Sequence, residues 1–336
     1  MSDRAADSDA FLQRAGWGLA RRAFLAGDAS DRSYDRLWLG TETAVLMDAP
    51  PGKGDDPASF LAIAGHLRRL GLSAPNCLAR DLEHGFLLLE DLGDGLFARL
   101  IAADPALEPM LYAAAVDVLI QLQAAPAPPD LPDLSAADWA EAAAFALDWY
   151  RFAVTGDRVD TAPFRSLLTE LLHRHADGPR VVILRDFHAE NLLWLPARAG
   201  VARVGLLDFQ LAQLGQPGYD LVSMLQDARR DVSRETIEAS QTRFMTASGM
   251  DEQRFRPAYA ALGAQRALRI LGIFARLCLV AGKPGYLPLL PRVWAQLQEN
   301  LTVAELAPLR RLCDQLLPAP SPEALRRIGE KCGHFR

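Results

Sequence analysis

The sequence lacks the features that mark secreted, membrane-spanning or zinc-binding proteins. Its four cysteines are scattered and form no CxxC pair, which argues against a zinc or dithiol motif. The acidic start, MSDRAADSDAF, has neither the basic nor the apolar segment of a signal peptide. The most apolar later stretch, residues 270–282, is interrupted by Arg276 and is too short to span a bilayer. We therefore expect a cytoplasmic protein with no membrane partner.

The sequence also lacks an excess of positive charge. It has 42 acidic and 36 basic side chains, and its formal net charge is −6. Because affinity for nucleic acid comes largely from Lys and Arg on phosphates, no nucleic-acid partner is expected. Half of the 336 residues are hydrophobic and 23% are charged, as in a folded chain of one large or two ordinary domains.

Strand and turn patterns dominate the first 90 residues. The runs AFLAGDASDRSYDRLWLG and TETAVLMDAP predict a hairpin, and further strands are expected at 77–81 and 85–90. Residues 57–70 have helical spacing and are followed by a glycine that stops the helix. A short helix is also expected at 11–22.

The character of the sequence changes at EDLGDG, which ends at Gly95. Beyond it the chain is rich in Ala and Leu with helical spacing, apart from one strand-like island near 180–210. Strands segregated from helices indicate an α+β fold rather than a doubly wound sheet. We predict a small β-rich N-lobe at 1–93 and a larger, mainly helical C-lobe at 94–336. The segment PAPSPEALRR near the end is predicted to be weakly attached.

The strongest chemical signal is a pair of acidic motifs, RDFHAEN at 185–191 and LLDFQ at 206–210, each after an apolar β-type run. Phosphoryl transfer requires a carboxylate that accepts the proton of the attacking hydroxyl, and oxygen ligands that hold Mg²⁺ on the phosphates. The order and spacing predict Asp186 as the catalytic base and Asn191 and Asp208 as metal ligands. The alternative is two aspartates at strand ends and a capping asparagine.

A second signal is the glycine-containing turn GDASDRSY at 27–34, between two predicted strands. Its backbone N–H groups, hydroxyls and arginine can contact phosphates. An ordinary hairpin turn is the alternative. The predicted phosphate-binding residues are Gly27, Asp28, Ala29, Ser30 and Arg32.

A third signal is the apolar strand LLLE, which leads directly into the connector DLG. In a two-lobed kinase, backbone groups at this point meet the adenine edge. We therefore expect the backbones of Glu90 and Leu92 to contact the nucleotide. A plain strand end followed by a glycine turn is the alternative.

The acceptor site has weaker candidates. Trp149, Tyr150 and Arg151 crowd one helix end, where aromatic faces can stack on a sugar ring, although such a group is also common in cores. His188 and Glu190 lie in the predicted catalytic loop and would either touch the acceptor or support the loop.

Taken in order, GDASDRSY, LLLEDLG, RDFHAENL and LLDFQ resemble the aminoglycoside phosphotransferase and choline kinase superfamily. VLMDAPP, YDLVSMLQDAR and GKPGYLPLLPRVW resemble one branch of it, the bacterial anomeric kinases of N-acetylmuramate and N-acetylglucosamine. The resemblance implies a two-lobed protein-kinase-like fold whose N-lobe binds the nucleotide. It implies ATP and Mg²⁺ as cofactors and an amino sugar as small-molecule partner. It also implies phosphorylation of the sugar's 1-hydroxyl during peptidoglycan recycling.

The chain departs from the protein-kinase pattern at several positions. Met47 stands where a third-strand Lys is expected, so another cation must contact the phosphates. Arg32 is the first candidate, and Arg36 and Lys53 follow. From kinases generally, Asp220 is expected to brace the catalytic loop.

Two alternatives stay open. A kinase of the same fold could act on another acceptor, such as an aminoglycoside, a choline-like amine or a homoserine-like alcohol. N-acetylmuramate carries a carboxylate and would favour a cation such as Arg151, Arg229 or Arg230. A non-catalytic nucleotide-binding scaffold is the alternative from a different class, motivated by the missing Lys.

Overall fold

The computed structural model describes residues 4–27, 32–52 and 56–335. The chain forms two compact units. Unit 1 contains residues 1–128 and 189–212, and unit 2 contains residues 129–188 and 213–336. The lobe boundary expected between Gly93 and Asp94 divides the chain differently and stays a prediction.

Unit 1 is built on a five-stranded antiparallel sheet. The strands are β1 (Arg21–Gly27), β2 (Ser33–Leu39), β3 (Glu42–Asp48), β4 (Cys77–Asp81) and β5 (Phe86–Glu90). Their order in the sheet is β1-β2-β3-β5-β4. Gly40, with φ of 60°, makes the tight turn between β2 and β3 that the hairpin pattern predicts. The apolar side chains of β5 are all buried, which explains its uninterrupted run of Phe and Leu.

Two helices belong to this part of the chain: α1 (Arg4–Arg14) precedes the first strand, and α2 (Pro57–Arg69) lies between β3 and β4 in the sequence. The helix expected at 11–22 is wrong in its bounds, because Gly16 takes a left-handed φ of 81° just after α1. The helix expected at 57–70 is confirmed. Asp56 caps α2 by accepting a hydrogen bond from the N–H of Ala58.

The rest of unit 1 contains α3 (Phe97–Ala103), α4 (Glu108–Gln123) and a short antiparallel ladder of β7 (Leu192–Trp194) and β8 (Val204–Leu206). The helical stretch Pro105–Gln123 is long and apolar enough to cross a membrane by length and composition, and no such stretch was expected from the sequence. Its Leu111, Tyr112 and Leu119 are fully buried in the protein, as in a core helix.

Unit 2 is mainly helical and contains one short ladder of two antiparallel strands. Its elements are α5 (Ala136–Phe145), α6 (Phe152–Thr155), α7 (Ala162–His175), β6 (Val181–Ile183), β9 (Gln213–Gly215), α8 (Tyr219–Leu225), α9 (Arg234–Ser248), α10 (Glu252–Leu279), α11 (Leu290–Asn300), α12 (Ala307–Leu316) and α13 (Pro322–Gly329). The 28-residue helix α10 runs through the core of unit 2 and packs against α5, α7, α8 and α11. A Cβ at Gly272 would lie 2.2 Å from the backbone carbon of Phe145, so α10 approaches α5 too closely for any larger residue.

The end of the chain is firmly packed, so the prediction of a weakly attached PAPSPEALRR segment is wrong. Ser321 caps α13 by accepting from the N–H of Ala324. Ala324 and Ile328, four residues apart on one helix face, are buried in the core of unit 2. The prolines that suggested a loose tail lie in the turn before this helix and at its first position, Pro322, where proline is compatible with a helix.

Candidate active site

The side chain of Asp220 fixes the backbone of the loop that carries Asp186. The carboxylate of Asp220, on α8, accepts hydrogen bonds from the backbone N–H of Leu184 at 2.6 Å and of Arg185 at 2.9 Å. Ser223, one turn further along α8, donates its hydroxyl to the carbonyl of Arg185 at 3.1 Å. The expectation that Asp220 braces this loop is therefore confirmed, and the catalytic role of the loop stays a prediction.

The backbone just before Asp186 is strained. Arg185 has a φ of 72°, in the left-handed region that non-glycine residues rarely occupy. The N–H of Asp186 donates to the carbonyl of Leu184 at 2.9 Å, which closes a three-residue turn around Arg185. Asp220 is fully buried, and burial raises its pKa to about 7 although both accepted hydrogen bonds oppose the shift.

Asn191 and Asp208 lie together in unit 1, at one end of the β7–β8 ladder. Leu192 pairs with Leu206 in that ladder. The N–H of Leu207, the residue after Leu206, donates to the carbonyl of Asn191 at 3.0 Å. Asp208 is the next residue in the chain. Asp186 belongs to unit 2, and the loop to Asn191 crosses from one unit to the other after His188.

The carboxylate of Asp208 is held by two donors in unit 1. Gln210 Nε2 donates to Oδ1 at 2.8 Å, and Arg32 Nη2 lies 3.3 Å from the same oxygen. Asp208 also has a left-handed φ of 54°, and about a third of its side chain is exposed. The next residue, Phe209, is buried and stacks on Phe60 of α2 with ring centroids 4.8 Å apart. This packing fixes where the metal-ligand candidate points.

A cavity of about 340 Å³ in unit 1 brings several predicted residues together. This volume is within the range of small-molecule sites. Much of its wall is apolar, from Val45, Phe60 and Leu89 among others. The residues predicted for nucleotide or metal binding that line it are Gly27, Glu90, Leu92, Asn191 and Asp208.

The donor set at this cavity fits a magnesium ion. An amide oxygen from Asn191 and a carboxylate from Asp208 are hard oxygen ligands, and Mg²⁺ is usually held by one or two such groups together with phosphates and waters. Within the described ranges, no group of three or more His, Cys, Asp or Glu side chains forms a metal site. The fit therefore rests on this Asn–Asp pair.

Comparisons with known proteins identify the family. The model of the phosphotransferase enzyme family matches residues 22–257. The chain belongs to this family. The phosphotransferase is 39% identical to the N-acetylmuramate/N-acetylglucosamine kinase of Caulobacter vibrioides, over 94% of this chain and 98% of the relative. It is 33% identical to the Pseudomonas aeruginosa kinase of the same name, over 84% of this chain and 85% of the relative.

The fold of the phosphotransferase also matches solved structures. It superposes on a choline/ethanolamine kinase family protein from Mesorhizobium loti with a TM-score of 0.63, 15% identity, and coverage of 97% of this chain and 99% of that one. The predicted protein-kinase-like α+β fold, with a β-rich N-terminal part and a mainly helical C-terminal part, is confirmed. Membership of the aminoglycoside phosphotransferase and choline kinase superfamily is likewise confirmed.

The candidates for the missing cation have different surroundings in the phosphotransferase. Arg32 is 4% exposed and lies beside Asp208. The guanidinium of Arg36 binds the carboxylates of Asp91 and Asp94 at 2.8–3.0 Å. The remaining predicted residues of this group lie outside the described residues, namely Asp28, Ala29, Ser30 and Lys53.

The predicted acceptor residues fall into two groups. In a π-helical segment of unit 2, Ala146–Arg151, the hydroxyl of Tyr150 is buried and donates to the carbonyl of Pro318 at 2.8 Å. In the same segment, Trp149 packs on the core, and Arg151 donates to the carbonyl of Asp157 at 2.6 Å. These contacts are structural, and a role for the three residues in acceptor binding stays a prediction.

In the predicted catalytic loop, His188 and Glu190 have different positions. His188 is buried in unit 2, and Glu190 is exposed at the cavity of unit 1. Sequence reasoning missed the contact of Gln210 with Asp208 and the pairing of Asp91 with Arg36. No motif signals either one. The pairing of Arg36 with Asp91 depends on how separate segments fold together, and the contact of Gln210 with Asp208 depends on the local backbone conformation at Asp208.

Proposed function

We propose that the phosphotransferase is an ATP- and Mg²⁺-dependent kinase of N-acetylmuramate and N-acetylglucosamine. The acceptor would be the anomeric 1-hydroxyl, and the sugar 1-phosphate would serve peptidoglycan recycling in the cytoplasm. Relatives that carry this kinase name cover nearly the whole chain. The observation that carries the proposal is the backbone bond from Leu207 to Asn191, which puts two magnesium-type ligands at one cavity.

Asp186 would act as general base in this reaction. The sugar oxygen forms a bond to the γ-phosphorus while the bond from that phosphorus to the bridging oxygen of ADP breaks. The proton of the sugar hydroxyl passes to the carboxylate of Asp186. Asp220 contributes by fixing the turn that precedes Asp186, so that the base is positioned before the substrate arrives.

The nucleotide would lie in the cavity of unit 1. Gly27 and Arg32 would contact its phosphates, and the backbones of Glu90 and Leu92 its adenine. Asn191 and Asp208 would hold Mg²⁺, which supplies neutralisation of phosphate charge when bound. The N-lobe at 1–93 and the C-lobe at 94–336 are part of this proposal.

The proposal is tested by ATP consumption with Mg²⁺ across N-acetylmuramate, N-acetylglucosamine, kanamycin, choline and homoserine. Phosphorus NMR identifies the product. A sugar 1-phosphate supports the proposal. Turnover on an amine or an antibiotic alone would retain the fold and overturn the acceptor assignment. ATP binding without turnover on any acceptor would favour the scaffold alternative.

A further inference from the structure

Unit 2 contains four arginines near the catalytic loop, which we call the arginine cluster: Arg185, Arg229, Arg266 and Arg269. Arg229 Nη1 lies 3.5 Å from Nε2 of His188, two residues after Asp186. Arg266 is 7% exposed and donates to the carbonyl of Gln226 at 3.1 Å. One end of the arginine cluster therefore lies beside the loop that carries Asp186, the proposed catalytic base.

These four guanidinium groups differ from several other arginines of unit 2. Arg165, Arg180 and Arg292 each form an ion pair with a carboxylate. Across the part of the chain that the structure describes, no carboxylate lies within 4.0 Å of a guanidinium nitrogen of the arginine cluster. The Nε of Arg185 is moreover buried without a hydrogen-bond partner in those residues. For the buried groups among them, Arg266 and the Nε of Arg185, an uncompensated charge is costly unless an anion reaches it.

The nearby acidic groups, Asp186, Asp220 and Asp227, compensate the charge of the cluster only in part, because they are three against four arginines. Asp220 uses its carboxylate on the N–H groups of the catalytic loop, and Asp227 accepts from the N–H of Arg229 at 2.8 Å. Burial raises the pKa of both carboxyl groups, so burial disfavours their charged form. Burial, together with the charges of Arg229 and Arg266, lowers the pKa of His188 to about 3. The region therefore has an excess of positive charge.

The segment that carries Arg229 is held in place from α11. Gln296 Nε2 donates to the carbonyl of Asp227 at 3.0 Å, and Arg292 Nη1 donates to the carbonyl of Ala228 at 3.3 Å. Arg229 itself is exposed on this fixed segment. Because this backbone is already fixed, no loop has to be ordered when an anion binds at Arg229.

We propose that the arginine cluster binds the carboxylate of the acceptor, with Arg229 in direct contact, and thereby favours N-acetylmuramate over N-acetylglucosamine. The inference rests on the proposed function. The two sugars differ at one position, where N-acetylmuramate carries a lactyl ether with a carboxylate and N-acetylglucosamine carries a hydroxyl. A guanidinium forms strong, charge-assisted hydrogen bonds with the carboxylate and only neutral ones with the hydroxyl.

The first experiment measures kcat/KM for both sugars with the wild-type enzyme and Arg229→Gln. We expect the ratio of N-acetylmuramate to N-acetylglucosamine to fall by about 10- to 100-fold, the usual effect of losing a charge-assisted hydrogen bond. Arg234→Gln is the matched control, because it removes the same charge from an exposed arginine five residues along. This control should leave the ratio unchanged.

A second experiment uses the wild-type enzyme and does not depend on a variant. The methyl ester of N-acetylmuramate keeps the shape of the sugar and loses its charge. We expect wild type to prefer the acid over the ester by about tenfold or more, and Arg229→Gln to lose most of this preference. Wild type that treats acid and ester alike would overturn the inference, even if both sugars are phosphorylated.

The outcomes separate the two proposals. If wild type phosphorylates neither sugar, the proposed function fails and the inference fails with it. If wild type phosphorylates both and Arg229→Gln lowers kcat/KM equally for both, the function stands and the inference is overturned, because Arg229 then supports only the loop. A selective loss on N-acetylmuramate supports the inference.

Discussion

Arg32 and Asp208 lie 176 residues apart in the chain, and Nη2 of the arginine is 3.3 Å from Oδ1 of the aspartate. The arginine is almost fully buried, while the carboxylate is about one-third exposed. Met47 occupies the strand position where a lysine was expected. Of the two candidate cations that the structure describes, Arg32 and Arg36, only Arg32 contacts the proposed metal ligand. The same guanidinium could stabilise Asp208 in the absence of nucleotide and contact a phosphate in its presence.

Replacement of Arg32 should weaken ATP binding. We expect Arg32→Ala to raise the apparent KM for ATP by about tenfold, since one charge-assisted contact to a phosphate is lost. Steady-state kinetics at saturating acceptor measures this effect. Arg22→Ala is the control, because Arg22 pairs with Asp35 on the same sheet. An unchanged KM in Arg32→Ala would indicate that Arg36 or Lys53 contacts the phosphates instead.

Asp186 and Asp208 should fail in different ways when mutated. Asp186→Asn should keep ATP binding and lose about 10²–10⁴-fold in kcat, because a general base is removed. Asp208→Ala should instead lose the Mg²⁺-dependent part of ATP affinity. Calorimetry with and without Mg²⁺ separates the two effects. Near-normal turnover in Asp186→Asn would refute the base assignment.

Acid should destabilise the protein partly through His188. Burial and the charges of Arg229 and Arg266 lower its pKa from 6.5 to about 3, so between these values the unfolded chain binds the extra proton. Stability from this group is present above about pH 6.5 and is lost as pH falls towards 3, by at most about 1.4 kcal/mol per pH unit.

Urea unfolding at about pH 7 and about pH 5 tests this linkage. We expect His188→Gln to lose less stability between the two pH values than the wild type does. His334→Gln, which changes an exposed histidine, should keep the wild-type slope. Equal slopes for all three proteins would show that His188 does not contribute to the pH dependence.

The C-terminal helix should contribute to global stability. Ile328 on α13 is fully buried in the core of unit 2. Ile328→Ala should lower the free energy of unfolding by about 2–5 kcal/mol through lost burial and a cavity. Arg326→Ala, on the exposed side of the same helix, should change it by no more than about 0.5 kcal/mol. If both variants unfold at the wild-type urea concentration, α13 does not contribute to the core.

The sequence predicts the local elements of this phosphotransferase better than its long-range contacts. The helix at 57–70 and the strand at 77–81 are clear because their apolar spacing and flanking turn residues agree. The helix expected at 11–22 fails because Gly16 outweighs the apolar pattern around it. The C-terminal segment was misjudged because its composition shows the prolines and does not show which core receives Ile328.

In the candidate site too, the sequence predicts local features better than long-range contacts. Asp186, Asn191 and Asp208 are signalled by spacing within motifs, and the loop brace by Asp220 follows from kinases in general. The cationic surroundings of His188 depend on arginines from α10 and the segment after α8, which are far from the loop in sequence. No local pattern indicates that Arg229 reaches His188, so only the folded chain makes the arginine cluster visible.

The left-handed turn at Arg185 has a consequence for protein engineering. A non-glycine residue in this conformation costs about 1 kcal/mol or more, and a glycine adopts it without steric penalty. A screen for heat resistance alone would therefore favour glycine at this position. Glycine would remove the guanidinium next to the proposed base. Selection for stability and selection for turnover would therefore favour different residues at this position.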